Sequence, residues 1–216
     1  WDIYALDLIH YIESHFEQPI IAIGHSMGAT STAIAAQMRP DLFKALVLIE
    51  VAIANKTLAT LARISPKFIA QRFEPAASTL KKVESWPSMD AYKGYCQQHP
   101  AFKRFSTEAI DALVQSGISE NQHRQYKINF PKTWEAHNYT QPPNIMRKLH
   151  RLRTPYVAIR GKPSLFFSEA MWQEWQSQAP PHAVFLENKQ QGHLFPLENP
   201  AACSELIQEG LSQLQI

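Results

Sequence analysis

The chain has 216 residues, 45% of them hydrophobic and 19% charged, the balance of a globular protein with room for one core and a small cap. A formal net charge of +2 gives no electrostatic footprint for nucleic acid or an anionic membrane surface. Two distant cysteines, Cys96 and Cys203, exclude a disulfide framework, and no apolar run approaches the ~18 residues of a membrane span.

In chain order, residues 2–16 read as an amphipathic helix with Tyr4, Leu8, Tyr11, Ile12 and Phe16 on one face. Pro19 closes it, and the β-branched run over residues 20–23 predicts a strand buried on both faces. Gly24-His25-Ser26-Met27-Gly28 follows, then a helix of small residues from 29 to 38, suited to close packing on a sheet. Arg39-Pro40-Asp41 breaks that helix ahead of a second buried strand over residues 45–49, which ends at Glu50. Residues 51–150 differ in character. They carry many prolines, helices over residues 89–98 and 107–116, an aromatic-rich turn over 134–139, and no buried strand of comparable quality. After Pro155 the earlier pattern returns, with strands over 156–159 and 183–186 and a helix over 168–178 capped by Ser168. A last helix has Asn199 as its cap and Pro200 at its first position. Strands alternating with helices predict an α/β fold, a mostly parallel sheet flanked by helices, built from residues 1–50 and 151–216. Residues 51–150 are then a helical cap inserted between the second and third strands.

The pentapeptide Gly24-His25-Ser26-Met27-Gly28 carries the strongest chemical signal. A serine on a sharp strand-to-helix turn needs small residues two positions to either side, which Gly24 and Gly28 supply. The turn lifts the Ser26 hydroxyl above the carboxyl end of the sheet and points the Met27 backbone N–H, at a helix N-terminus, toward a developing oxyanion. An unassisted serine is a poor nucleophile and needs a base within hydrogen-bond reach. Of nine histidines, His193 alone follows a buried strand, comes after a glycine and precedes an apolar-proline turn. His25 reads as a packing or hydrogen-bonding neighbour.

The elbow, the strand ending at Glu50, the inserted cap and the closing run Gln191-Gly192-His193-Leu194-Phe195-Pro196-Leu197-Glu198 resemble the α/β-hydrolase superfamily over essentially the whole chain. The cap segment Phe130-Pro131-Lys132-Thr133-Trp134-Glu135-Ala136 also resembles a P-x-x-E-A pattern in some members, with no role attached to it. The resemblance implies a Ser-His-acid triad with Ser26 as nucleophile and His193 as base, and no metal or organic cofactor. Most members carry the acid just after the strand that here ends Ile159-Arg160-Gly161, yet Lys162-Pro163-Ser164-Leu165-Phe166-Phe167 contains no carboxylate. A minority place it after the strand that follows the nucleophile helix, where Glu50 stands. A lone carboxylate closing an apolar run is costly unless a donor satisfies it. Glu50 is therefore the expected acid, with Glu187 and, less readily, Glu135 as alternatives.

The resemblance also implies that the second oxyanion donor comes from a loop ahead of Trp1, and a sheet beginning at residue 20 leaves an apolar edge open. An N-terminal segment, or failing that a second chain, is expected to complete the sheet. A cytoplasmic location is the expectation, with no signal peptide visible in these residues. The expected reaction is hydrolysis of a small apolar carboxylester, with thioester, lactone and carbon–carbon cleavage left open by the shared machinery. The cap is expected to roof the pocket, and Trp86, Tyr92, Tyr95, Phe102, Phe105, Tyr126, Trp134, Tyr139, Phe166 and Phe167 suggest an acyl or aryl substrate, although rings of this kind equally serve to hold a cap together. The alternative is a receptor-like binding protein on a hydrolase scaffold, motivated by the unusual position of the acid.

Overall fold

The computed structural model describes residues 1–72, 74–164 and 167–216. The chain opens with α1 (Asp2–His15), β1 (Ile20–His25), α2 (Met27–Met38) and β2 (Phe43–Ile49), followed by α3 (Lys56–Ile64). Next come α4 (Lys67–Ala70), α5 (Ala76–Leu80), β3 (Ser85–Trp86), α6 (Met89–Gln98) and α7 (Thr107–Gly117). Then β4 (Ile118–Glu120) and β5 (Tyr126–Ile128) lead to α8 (Lys132–Tyr139). The chain closes with α9 (Met146–Leu149), β6 (Tyr156–Gly161), α10 (Glu169–Ser177), β7 (Ala183–Asn188), α11 (Phe195–Glu198) and α12 (Pro200–Gln213). Among the described residues no helix is long and apolar enough to cross a membrane.

Two compact units share these elements: residues 1–59, 142–196 and 200–216 form the first, and residues 60–141 with 197–199 the second. The first unit reaches beyond residue 50 because Val51, Ile53 and Ala54 are buried in its core. The Ala54 N–H donates to the Pro143 carbonyl at 2.7 Å, and Asn144 Nδ2 donates to the Ala54 carbonyl at 2.9 Å.

The first unit is a four-stranded parallel sheet in the order β1-β2-β6-β7 with helices on both faces. Side chains of a strand alternate between faces. On β2, Leu46 and Leu48 therefore enter one core with Ile9, Ile34, Leu149, Trp172 and Trp175, while Val47 and Ile49 enter another with Val157, Ile159, Phe195 and Cys203. Strands covered on both sides read as continuous apolar runs, as β2 and β6 do. Helix α2 buries Ala29, Ala33, Ala35 and Ala36, whose small side chains let it lie close to β1, β2 and α1. Under α10, Trp175 Nε1 donates to the Tyr156 hydroxyl at 2.9 Å, which satisfies two polar groups inside an apolar cluster. Ser168 Oγ accepts from Met171 N at 3.3 Å and caps that helix.

Two expectations fail in this unit. Strand β1 is an edge strand with Ile21 38% and Ile23 56% exposed, so only its Ala22 and Gly24 face is buried. Helix α1 buries Ile12 of the expected face and packs Leu8 against the core, but Ala5 and Ile9 are buried beside them while Tyr11 and Phe16 are exposed, with Tyr11 stacked on His15. Ala5, Ile9 and Ile12 follow the i, i+4, i+7 spacing that the facing helix α2 can pack against.

The second unit is mostly helical but also holds a three-stranded antiparallel sheet in the order β3-β5-β4. Strands of two and three residues carry too little alternation to be read from sequence. Residues 132–139 form helix α8 rather than the expected turn. Ser88 and Ser106 cap α6 and α7, each accepting at 3.1 Å from the backbone N–H three residues on. Glu135, from the P-x-x-E-A pattern, pairs with Lys82 at 2.7 Å, and Ala136 is fully buried. This motif ties α8 to the segment after α5. Trp86, Tyr92, Tyr95, His99, Phe102 and Phe105 run ring against ring within the unit.

Candidate active site

The register of the sheet brings the strand ends level: His25 pairs with Ile49, and Ile49 with Ile159. Ser26 and Glu50, the residues that follow β1 and β2, and Gly161, the last residue of β6, therefore lie at one carboxyl edge of the sheet. Ser26 sits between β1 and α2 at φ 54° and ψ −116°, a conformation that costs a side-chain-bearing residue about 1–3 kcal/mol. Backbone bonds hold it there: its N–H donates to Ile49 O at 2.9 Å, and its carbonyl accepts from Thr30 N at 3.1 Å and Ala52 N at 3.3 Å.

Steric demand on the two flanking glycines is unequal. A Cβ on Gly24 would lie 2.7 Å from Ala29 N and from the Gly28 carbonyl group, whereas one on Gly28 would meet nothing within 4 Å. Gly28 is thus not the steric necessity expected from the motif; its Cα points outward from the start of α2 while Gly24 faces the helix backbone. Gly24→Ala is expected to cost about 1–3 kcal/mol in urea denaturation, and Gly28→Ala to be neutral or to stabilise by up to about 1 kcal/mol through helix propensity.

His193 Nε2 lies 3.0 Å from Ser26 Oγ, and its Nδ1 lies 2.9 Å from Glu50 Oε2. The Glu50 side chain is fully buried and that of His193 is 13% exposed. An ionised carboxylate only accepts, so the Glu50 contact assigns the proton of a neutral His193 to Nδ1 and leaves Nε2 as an acceptor facing Ser26 Oγ. Glu50 itself has a left-handed backbone, φ 48°, where the chain leaves β2. Two donors absent from the sequence reading complete its shell: Gly161 N–H to Oε1 at 2.7 Å and Ser164 O–H to Oε2 at 2.6 Å. Burial of this carboxylate is tolerable because three donors replace its water. The only hint in the sequence was the missing carboxylate after β6, with a hydroxyl residue standing in the same loop.

The loop after β6 also touches the backbone beside His193. A Cβ on Gly161 would lie 2.5 Å from Gly192 O, and one on Gly192 would lie 2.4 Å from Pro163 O. His25 Nε2 is 2.8 Å from the His193 carbonyl. Burial pushes the His25 imidazole pKa below its ordinary value, which favours the neutral ring, and a carbonyl can only accept, so Nε2–H donates to it. It thereby ties the loop that carries His193 to the elbow.

Other candidates are engaged elsewhere. Glu187 pairs with the buried Arg160 guanidinium, which also binds Glu169 at 2.9 Å and lies 4.8 Å above the Trp172 ring. Glu135 is paired with Lys82. Met27 opens α2, directly after Ser26. Trp86, Tyr92 and Phe105 are buried in the ring series of the second unit, and Phe167 packs on Trp172 and Trp175, so these rings serve internal packing. Phe166 lies outside the described residues.

The model of the alpha/beta hydrolase family matches residues 1–206. Among solved structures, E-2-(acetamidomethylene)succinate hydrolase superposes with a TM-score of 0.76 at 18% identity, over 97% of this chain and 72% of that one. A thioesterase domain from the curacin biosynthetic pathway gives 0.65 at 19% identity, over 94% of this chain and 70% of that one. An esterase of Mycobacterium tuberculosis gives 0.69 at 15% identity, over 96% and 68%. At such identities the likeness is one of fold. No curated protein sequence matches the chain.

Proposed function

Because the chain belongs to the alpha/beta hydrolase family, we propose that it is a serine hydrolase that cleaves a small carboxylester through an acyl-enzyme on Ser26. The observation that carries this reading is the unbroken line from Glu50 Oε2 through His193 to Ser26 Oγ, with contacts of 2.9 and 3.0 Å. His193 Nε2 takes the hydroxyl proton as Ser26 Oγ adds to the ester carbonyl. Glu50 stabilises the imidazolium, and the Met27 N–H at the positive end of α2 donates to the oxyanion. Collapse of the tetrahedral intermediate expels the alcohol, which takes the proton from His193. Water then attacks the acyl-enzyme with His193 as base, the acid leaves, and Ser26 recovers its proton.

Esterases and a thioesterase among the structural neighbours make esters and thioesters the first two substrate classes to test. The receptor reading drew its motive from the missing carboxylate after β6, and the Glu50–His193 contact weakens that motive. A fluorophosphonate probe tests the proposal. Covalent labelling is expected at Ser26, located by peptide mass spectrometry, together with turnover across a chain-length series of p-nitrophenyl esters. An unlabelled Ser26 alongside tight ligand binding would favour the receptor instead.

A further inference from the structure

We propose that Ser164 is a positioning residue of this site, its hydroxyl holding the same Glu50 oxygen that receives the His193 Nδ1 proton. The inference rests on the reading of Ser26, His193 and Glu50 as one catalytic unit.

Hydrogen-bond direction follows from the partners. Phe167 N–H donates to Ser164 Oγ at 3.1 Å, and the carboxylate can only accept, so the Ser164 proton points at Glu50 Oε2, 2.6 Å away. Oε2 therefore lies between two donors, Ser164 and His193, while Gly161 N–H holds Oε1 at 2.7 Å. A glutamate has three side-chain torsions, and one bond to Oε1 leaves the carboxylate plane free to turn. The bond to Oε2 stops that rotation and fixes the direction in which the imidazole proton is received. Phe167 N–H and the Ser164 hydroxyl stand in series, so the first bond polarises the second and strengthens the Ser164 hold on Oε2. A second observation joins the two sides of the site: the segment 161–164 that carries Ser164 abuts Gly192, the residue before His193. One short loop thus sets the acid through its donors and the base through backbone contact.

A purely local role for Ser164, as the hydroxyl that closes the turn onto Phe167 N–H, makes a different prediction, and a double-mutant cycle separates the two. Ser164→Ala is expected to lower kcat about 10- to 100-fold on a p-nitrophenyl ester, the scale of one hydrogen bond to a charged group, with KM unchanged. Ser164→Thr, which keeps the hydroxyl, should recover most of that loss. In the Glu50→Gln background Ser164→Ala should change kcat less than about twofold, because its effect passes through the carboxylate. The far-downfield proton resonance of the His193–Glu50 bond should shift in Ser164→Ala while Tm moves little. A parental kcat in Ser164→Ala, or the same fold loss in both backgrounds, would overturn the inference. Ser26→Ala run alongside separates the two failures. A dead Ser26→Ala beside a fully active Ser164→Ala refutes the role of Ser164 alone, whereas turnover surviving Ser26→Ala refutes the triad reading and this inference with it.

Discussion

Ser26→Ala is expected to lower kcat by about 10⁶-fold, the scale on which a triad fails when its nucleophile is removed. The loss comes from the missing covalent route alone. In the variant, His193 still faces Glu50 at one nitrogen, and the elbow backbone keeps its bonds to Ile49, Thr30 and Ala52. Substrate binding and KM should therefore change little, and the fluorophosphonate label should vanish. The same position makes a separable statement about stability. Ser26 holds a left-handed backbone, φ 54°, that glycine adopts without a Cβ penalty. Relief of about 1–3 kcal/mol of strain exceeds the roughly 0.5–1 kcal/mol that glycine's extra freedom in the unfolded chain costs. Ser26→Gly should thus be inactive with a Tm at or above that of the parent. A Ser26→Gly protein that melts well below the parent would show that the elbow carries no such strain.

What the sequence made legible was local or strongly patterned. Strand, elbow and small-residue helix lie within twenty consecutive residues, and β2 and β6 are apolar runs long enough to mark themselves as central strands. Glu50 stood out because a carboxylate at the end of such a run demands a partner. Exposure depends on neighbours that are distant in the chain. The isoleucines of β1 look like those of β2, yet among the described residues β1 stands at the end of the strand order, with Ile21 and Ile23 exposed. The aromatic stripe of α1 promised a buried face, but α2 offers a surface of alanines that takes up Ala5, Ile9 and Ile12. Ser164 and the Gly161 N–H escaped notice for a related reason. Serine is common in loops and a backbone donor leaves no mark on composition, so only the folded loop shows that both aim at one carboxylate.

Glu50→Gln should lower kcat by about 10⁴-fold, as when a triad acid is replaced by its amide. The hydrogen-bond arithmetic of the site gives the reason. Glu50 receives one donor at Oε1 and two at Oε2, all three on an acceptor-only group. An amide has one accepting oxygen and one donating nitrogen. With the nitrogen at the Oε1 position it meets the Gly161 N–H, donor against donor, which costs about 1–3 kcal/mol of stability in a buried site. With the nitrogen at the Oε2 position it forces His193 Nδ1 to accept, which moves the imidazole proton to Nε2, the atom that must receive the Ser26 proton. Either orientation is unfavourable, and the second one disables the base. Glu187→Gln serves as the contrast: its carboxylate faces Arg160, so kcat should stay within a few-fold of the parent. Turnover measured for both variants under saturating ester decides the matter. Near-parental turnover in Glu50→Gln, with a collapse in Glu187→Gln, would move the acid of the site to the other strand.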